Sequence, residues 1–400
     1  MAGLNETPKG ERLHIAFFGN RNAGKSSLIN AFTGQDISIV SDTKGTTTDP
    51  VFKAMELLPL GPVMIIDTPG IDDEGELGAL RVQKALQVLR KTDVMVIVTD
   101  CTKSLGDTEK QLIAMAGKQN IPYVIAYNKS DLFHQLPSVL ETAVFTSSVT
   151  GEGIDTLKQQ IVSVAASQTR ERHVVADLLS PGDLVVLVVP IDKAAPKGRL
   201  ILPQQQTIRD IIEAGASAVV CRDNELQETL GKLVASPRMV ITDSQVFKKT
   251  DAIVPPEIPL TSFSILMARY KGDLLQVVAG VSALSALREG DSILIVEGCT
   301  HHRQCEDIGT VKIPMLIHKV LGIQLEFHFV SGSDFPEDLS KYRLVIHCGG
   351  CTLTEKEMNF RLRICSENGV PVTNYGILLA HLNGILKRSV SLFPDVSKCL

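Results

Sequence analysis

The chain has no tryptophan, only five tyrosines, and no apolar run long enough to cross a membrane. Aromatics make up 4 % of the residues, so any core must be built from aliphatic side chains. Val/Ile/Ala/Leu-rich runs of that kind favour α/β packing, in which buried parallel strands read as continuous aliphatic stretches. The most prominent run, Leu184 to Val189, falls far short of the ~20 residues of a membrane helix. Also absent is any Lys/Arg block. With 40 basic against 45 acidic residues and a formal charge of −5, the chain is not built to hold nucleic acid by bulk electrostatics. Met1 to Arg12 is polar and charged with no apolar h-region, so no signal peptide and no membrane association are expected, and the expected location is cytoplasmic.

What is present is an ordinary globular composition, 44 % apolar and 21 % charged over 400 residues, sufficient for two to four domains. The eight cysteines belong, in a reducing compartment, to metal or redox chemistry wherever they cluster. Cys101, Cys221, Cys365 and Cys399 stand singly in or beside apolar segments and read as structural thiols.

Three α/β domains are expected. Residues 1–170 alternate short aliphatic runs (His14–Phe18, Val63–Asp67, Val94–Asp100, Tyr123–Tyr127, Val144–Thr146) with helical stretches, the pattern of a mostly parallel sheet. Residues 171–275 form a smaller α/β unit with no catalytic constellation, which suits structural or assembly work. In residues 276–400 the strand-like runs are Ser292–Val296, Leu325–Val330, Arg343–Ile346 and Pro371–Asn374, and helices are expected at Ile313–Leu321, Glu355–Glu367 and Leu378–Ser389.

Gly19-Asn-Arg-Asn-Ala-Gly24-Lys25-Ser26 fits the phosphate-binding pattern G-x-x-x-x-G-K-S between a strand and a helix. Glycines let backbone N–H groups wrap phosphates, and a helix N-terminus adds a favourable dipole. Lys25 is expected at the β- and γ-phosphates and Ser26 on magnesium. Asp67-Thr-Pro-Gly70 ends the next strand; Asp67 would hold magnesium through water and the Gly70 N–H would sense the γ-phosphate. Asn128-Lys129-Ser130-Asp131 supplies Asp131 to accept from the guanine N1–H and exocyclic amine, which adenine cannot match. Hydrogen bonds of this kind discriminate by roughly 10⁴-fold or more. Ser147 and Ser148 can provide the last base contact. Four motifs in this order specify GTP hydrolysis with magnesium.

The loop Gly45-Thr-Thr-Thr-Asp-Pro50, together with Asn22-Ala23-Gly24-Lys25-Ser26-Ser27, resembles the TrmE/Era/Der group of tRNA-modification and ribosome-assembly GTPases. The resemblance implies magnesium binding by Thr47 and a potassium ion held by Asn22. Ile71 stands where Ras-like proteins carry a water-positioning Gln. Ile71 cannot orient water, so a monovalent cation near the phosphates is expected to stabilise the transition state.

The last domain carries Cys299-Thr-His301 and, after 45 intervening residues, His347-Cys348-Gly-Gly-Cys351. Both clusters follow aliphatic strands, and ligand sites in parallel sheets form outside the carboxyl ends of strands. Three thiolates with a histidine suit tetrahedral zinc. They equally suit an iron–sulfur cluster with one labile position. A GTPase domain joined to C-x-H…H-C-x-x-C resembles the HydF family of iron–iron hydrogenase maturation GTPases over essentially the whole chain, which implies a middle domain that forms a homodimer. The resemblance implies a 4Fe-4S cluster on Cys299, Cys348 and Cys351, with His301, His347, Glu306 or an exogenous group as fourth ligand. It further implies a scaffold that receives a diiron precursor from radical-SAM maturases and passes it to the apo-hydrogenase. Cys305 and His302 read as bystanders. The alternative is a tRNA- or ribosome-linked GTPase with a structural zinc site.

Overall fold

The computed structural model describes residues 7–34, 49–70, 84–132, 143–166, 172–191, 200–298, 307–332 and 334–400. They form two compact units, divided between Glu171 and Arg172.

The first unit is a six-stranded sheet of β1 (Leu13–Phe18), β2 (Val51–Leu57), β3 (Gly61–Asp67), β4 (Val94–Asp100), β5 (Tyr123–Asn128) and β6 (Ala143–Phe145). Its order is β2-β3-β1-β4-β5-β6, parallel except where β2 meets β3. The central strands β1 and β4 are aliphatic because both of their faces are covered. One face packs Leu28, Ile29 and Phe32 of helix Lys25–Thr33 with Leu157 and Ile161 of helix Ile154–Ala166. The other face packs Leu112 and Ala116 of helix Asp107–Lys118. Strand β2 was not among the expected elements. Its side chains alternate between half-buried and exposed, as at a sheet edge, so it presents no continuous apolar run.

The second unit holds two parallel four-stranded sheets. One runs β10-β9-β7-β8, from β7 (Leu184–Val188), β8 (Ser217–Cys221), β9 (Met239–Thr242) and β10 (Leu260–Ser262). The other runs β12-β11-β13-β14, from β11 (Ser292–Glu297), β12 (Glu326–Ser331), β13 (Leu344–His347) and β14 (Val372–Asn374). One hydrophobic core extends from Val174 to Val396 and includes both sheets. The expected division near residue 275 falls within helix Leu274–Gly280, inside this core. Helix Phe263–Lys271 is buried at Phe263, Ile265, Leu266, Met267, Ala268 and Lys271, and touches both β10 and β14. The helix expected over Leu378–Ser389 is two, Tyr375–Leu382 and Leu386–Ser389. Gly384, at φ 74°, breaks the turn between them in a conformation that only glycine adopts at low cost.

Candidate functional site

In the first unit β1 ends at Phe18 and the chain turns through Gly19–Gly24 into helix Lys25–Thr33. That helix begins at Gly24, φ 80°, with no side-chain cap, so its first N–H groups point outward as anion donors. A Cβ at Gly19 would lie 2.2 Å from the Val98 carbonyl, and one at Gly24 2.3 Å from the Asn128 side-chain nitrogen. Both glycines are therefore required by close approach. Asn22 adopts φ 62°, a left-handed conformation for which asparagine is enriched.

Three of the residues expected at the phosphates and magnesium converge. Asp67 accepts from Lys25 Nζ at 2.8 Å and from Ser26 Oγ at 2.8 Å. Gly70 follows three residues after Asp67 and is half-buried. Next door, Thr68 Oγ1 donates to the Phe17 carbonyl at 2.7 Å and locks the end of β3 onto β1.

The base-side motifs close on the phosphate loop. Asn128, fully buried, donates through Nδ2 to the carbonyls of Ala23 (3.1 Å) and Gly24 (3.3 Å) and accepts from the Ser148 N–H at 3.2 Å. It thereby ties the phosphate loop to the base loop. Asp131 accepts from Ser147 Oγ at 2.5 Å, and Ser147 Oγ also receives the Val149 and Thr150 N–H groups. Lys129 Nζ lies 2.6 Å from Asp100. Burial pushes the Asp100 carboxyl up, but hydrogen bonds from Lys129 and Thr102 outweigh it and hold the group at about 2. Ser27 sits in the first turn of the helix behind Ser26. Thr47 and Ile71 lie outside the described residues.

One link in this site was not legible beforehand. Asn20, within the phosphate loop, donates at 2.7 Å to Glu109 of helix Asp107–Lys118, and the Glu109 side chain is buried. A glutamate in the first turn of a helix reads simply as dipole compensation, which conceals its inward orientation.

In the second unit β11 and β13 are neighbours, with Val296 opposite His347. This brings Gly298, just before Cys299, against the turn Cys348–Cys351. Cys348 Sγ accepts the backbone N–H of Gly298 at 3.1 Å and of Gly350 at 3.4 Å. Thr352 Oγ1 donates to the Gly298 carbonyl at 3.2 Å. Such N–H donors favour a thiolate at Cys348, the form that binds metal. Gly350, at φ 62°, makes the turn tight. Cys299, His301, His302, Cys305 and Glu306 lie outside the described residues. Among the described residues no three His, Cys, Asp or Glu side chains gather as a metal site.

His347 has both ring nitrogens engaged. Arg361 Nη1 approaches Nε2 at 3.1 Å and can only donate, so Nε2 accepts and Nδ1–H donates to the Cys348 carbonyl at 2.7 Å. Burial, and then the Arg361 charge, push its pKa down to about 3, so the ring is neutral. In this arrangement His347 is a buried link between Arg361 and the cysteine turn, with no lone pair left for a metal. Arg361 is itself paired with buried Glu357 at 3.0 Å. The Glu357/Arg361 spacing of one helical turn is visible in sequence; its inward orientation is not.

The first unit, with its phosphate loop, Asp67 and Asn128–Asp131 on one sheet edge, is a P-loop GTPase domain. Residues 14–129 match the family model of the 50S ribosome-binding GTPases. Residues 174–272 match the hydrogen maturase F dimerization domain, and 275–392 the hydrogen maturase F tetramerization domain. The chain therefore belongs to the hydrogen maturase F (HydF) family, with a GTPase domain of the TrmE/Era/Der type.

Among similar curated proteins, GTPase Der of Kosmotoga olearia is 31 % identical over 174 residues, covering 39 % of this chain and 39 % of its own length. The tRNA modification GTPase MnmE of Legionella pneumophila is 34 % identical over 170 residues, covering 42 % of this chain and 37 % of its own. The chain thus spans well under half the length of these curated relatives. A solved structure of Era from Aquifex aeolicus is 21 % identical with a TM-score of 0.35, covering 57 % of this chain and 93 % of that one. No helix among the described residues is long and apolar enough to cross a membrane.

Proposed function

We propose that this chain is a GTP-hydrolysing iron–sulfur scaffold that assembles the diiron subcluster of iron–iron hydrogenase or delivers it to the apo-enzyme. The observation that supports the reading is the meeting of Gly298, the residue before Cys299, with Cys348 on a chain that also holds a GTPase domain. The donor chemistry fits a 4Fe-4S cluster: Cys299, Cys348 and Cys351 supply three thiolates, and His347 is already committed to Arg361 and Cys348. The fourth position falls to His301, Glu306 or an exogenous group. Such a cluster supplies a thiolate-bound, redox-active iron centre with one exchangeable site.

In the nucleotide site Lys25 meets the β- and γ-phosphates, Ser26 and Thr47 ligate magnesium, and Asp67 holds it through water. Asn22 contributes to a potassium ion. Asp131 reads guanine, positioned by Ser147 and backed by Asn128. Turnover of GTP orders and releases the Gly45–Pro50 loop and so alters affinity for partners rather than performing the metal chemistry. Those partners are a second copy of the chain, the apo-hydrogenase and the radical-SAM maturases, in the cytoplasm.

Anaerobic purification tests the reading. Brown protein with iron and sulfide in near-equal amounts and a reducible paramagnetic signal is expected. Colourless protein that retains zinc without iron would instead indicate the tRNA- or ribosome-linked alternative.

A further inference from the structure

The phosphate loop is suspended between two buried side chains from other parts of the first unit. Its second half is held by Asn128, whose amide donates to the Ala23 and Gly24 carbonyls. Its first half is held by Glu109, 2 % exposed, which accepts from Asn20 Nδ2 at 2.7 Å. Asn20 Oδ1 is buried and receives no donor, so among the described residues Glu109 is what the Asn20 side chain bonds to.

Glu109 lies in the first turn of helix Asp107–Lys118, where a carboxylate ordinarily stays in water and complements the helix dipole. Gly106, the residue before the helix, leaves it room to turn inward: a Cβ there would stand 2.8 Å from Glu109 Oε2. Oε2 is buried and also lacks a donor among the described residues. Burying a carboxylate on so few partners costs stability. Filling the space between helix and loop is better served by an apolar side chain, so the distinctive contribution of Glu109 is its bond to the loop.

That bond reaches beyond Asn20 itself. The Asn20 carbonyl accepts the Ala23 N–H at 3.3 Å, closing a turn over Arg21 and Asn22 in which Asn22 takes φ 62°. Fixing Asn20 therefore fixes the turn. Backbone N–H groups of such a loop bind phosphate oxygens, and donors already in place stabilise the charge that develops in the transition state.

We propose that Glu109 is a positioning residue for GTP hydrolysis, which holds the first half of the phosphate loop in place through Asn20. It acts by its hydrogen bond and not by its charge. This role concerns the GTPase reaction alone and is independent of the iron–sulfur reading.

Steady-state GTP hydrolysis by the full chain tests this in E109A, E109Q, N20A and E109A/N20A, with thermal melts to establish folding. E109A and N20A are each expected to lower kcat/KM at least about tenfold, because small displacements of positioning groups are costly. Gln at position 109 offers an acceptor to Asn20 Nδ2 and a donor to Oδ1, so E109Q is expected to stay within about threefold of wild type. The double variant should fall no more than about twofold below the poorer single variant, since both changes remove the same bond. L112A removes a buried side chain from the same helix without touching the loop; it should lower the melting temperature and leave kcat/KM within about twofold of wild type. If E109A does not fold, N20A and E109Q decide. Wild-type kcat/KM in folded E109A or N20A overturns the proposal. So does a loss in E109Q or L112A as large as in E109A, or a double variant whose loss is the product of the two single losses.

Discussion

The backbone N–H of Gly298 meets the Sγ of Cys348 at 3.1 Å, although fifty residues of chain separate them. The contact follows from sheet order. Strands β11 and β13 pair in parallel, so both of their carboxyl ends, Gly298 after one and Cys348 after the other, arrive at the same edge. A Cβ at Gly298 would stand 2.8 Å from Leu353 Cγ, an inner atom that cannot swing aside as a side-chain tip can. Gly298→Ala is therefore expected to displace the turn and weaken metal retention by about 10- to 100-fold, the usual effect of disturbing the partners of a ligand. Metal content after dialysis against a chelator measures it; full retention would contradict the placement.

The Arg361–Glu357 pair provides a stability prediction. Both side chains are almost completely buried, so removing one partner strands the other charge. Arg361→Met should cost about 3–5 kcal/mol in denaturant unfolding. Replacing Glu357 by Gln in the same chain should recover a large part of that loss, because the stranded charge is removed. A double variant no more stable than Arg361→Met alone would show that lost packing, not the charge, is responsible.

Asp100 provides a pH prediction. Its folded pKa of about 2 lies below the ordinary 3.8, because the hydrogen bonds from Lys129 and Thr102 outweigh burial. The stabilisation is therefore complete above pH 3.8 and is lost as the pH falls towards 2. Unfolding curves of wild type and Asp100→Asn should differ by a constant amount at pH 5 to 7 and converge towards about pH 2. Asp100→Asn should also weaken GTP binding, since Lys129 loses its anchor.

Asn22 separates a cation role from a turn role. Its φ of 62° means that Asn22→Ala would strain the loop as well as remove the side chain. Asn22→Gly keeps the backbone conformation available and removes only the side chain. Wild type should hydrolyse GTP at least about tenfold faster in potassium than in sodium, a barrier difference of about 1.4 kcal/mol, and Asn22→Gly should lose that preference. Equal wild-type rates in the two salts would dispose of the potassium site.

Cys365 and Cys399 illustrate how far one-dimensional reading reaches. Both read as lone structural thiols, yet Cys365 is fully buried, its thiol pushed by burial up to about 12, whereas Cys399 is exposed. Iodoacetamide at neutral pH should modify Cys399 and spare Cys365 until the chain unfolds. Exposure of an isolated residue depends on what packs over it, and neighbours in sequence do not report that.

The sequence by itself determined the GTPase domain. Glycines whose absent Cβ atoms make room for other backbone, a Lys-Ser pair at a helix start, and an aspartate after an aliphatic strand are local requirements, and local spacing expresses them. It also marked two cysteine clusters at strand ends. Only the tertiary structure decided how the Cys348–Cys351 turn is held. Strand order brought Gly298 to Cys348, the inward faces of two helices delivered Arg361 and Lys271 to the cysteine turn, and both nitrogens of His347 were taken up in that framework. Lys271 reaches across eighty residues of sequence to Cys351, and no periodicity announces such a contact. Burial of charge is a property of three-dimensional neighbours: a lysine at a helix end is written identically whether it faces water or a buried cysteine turn.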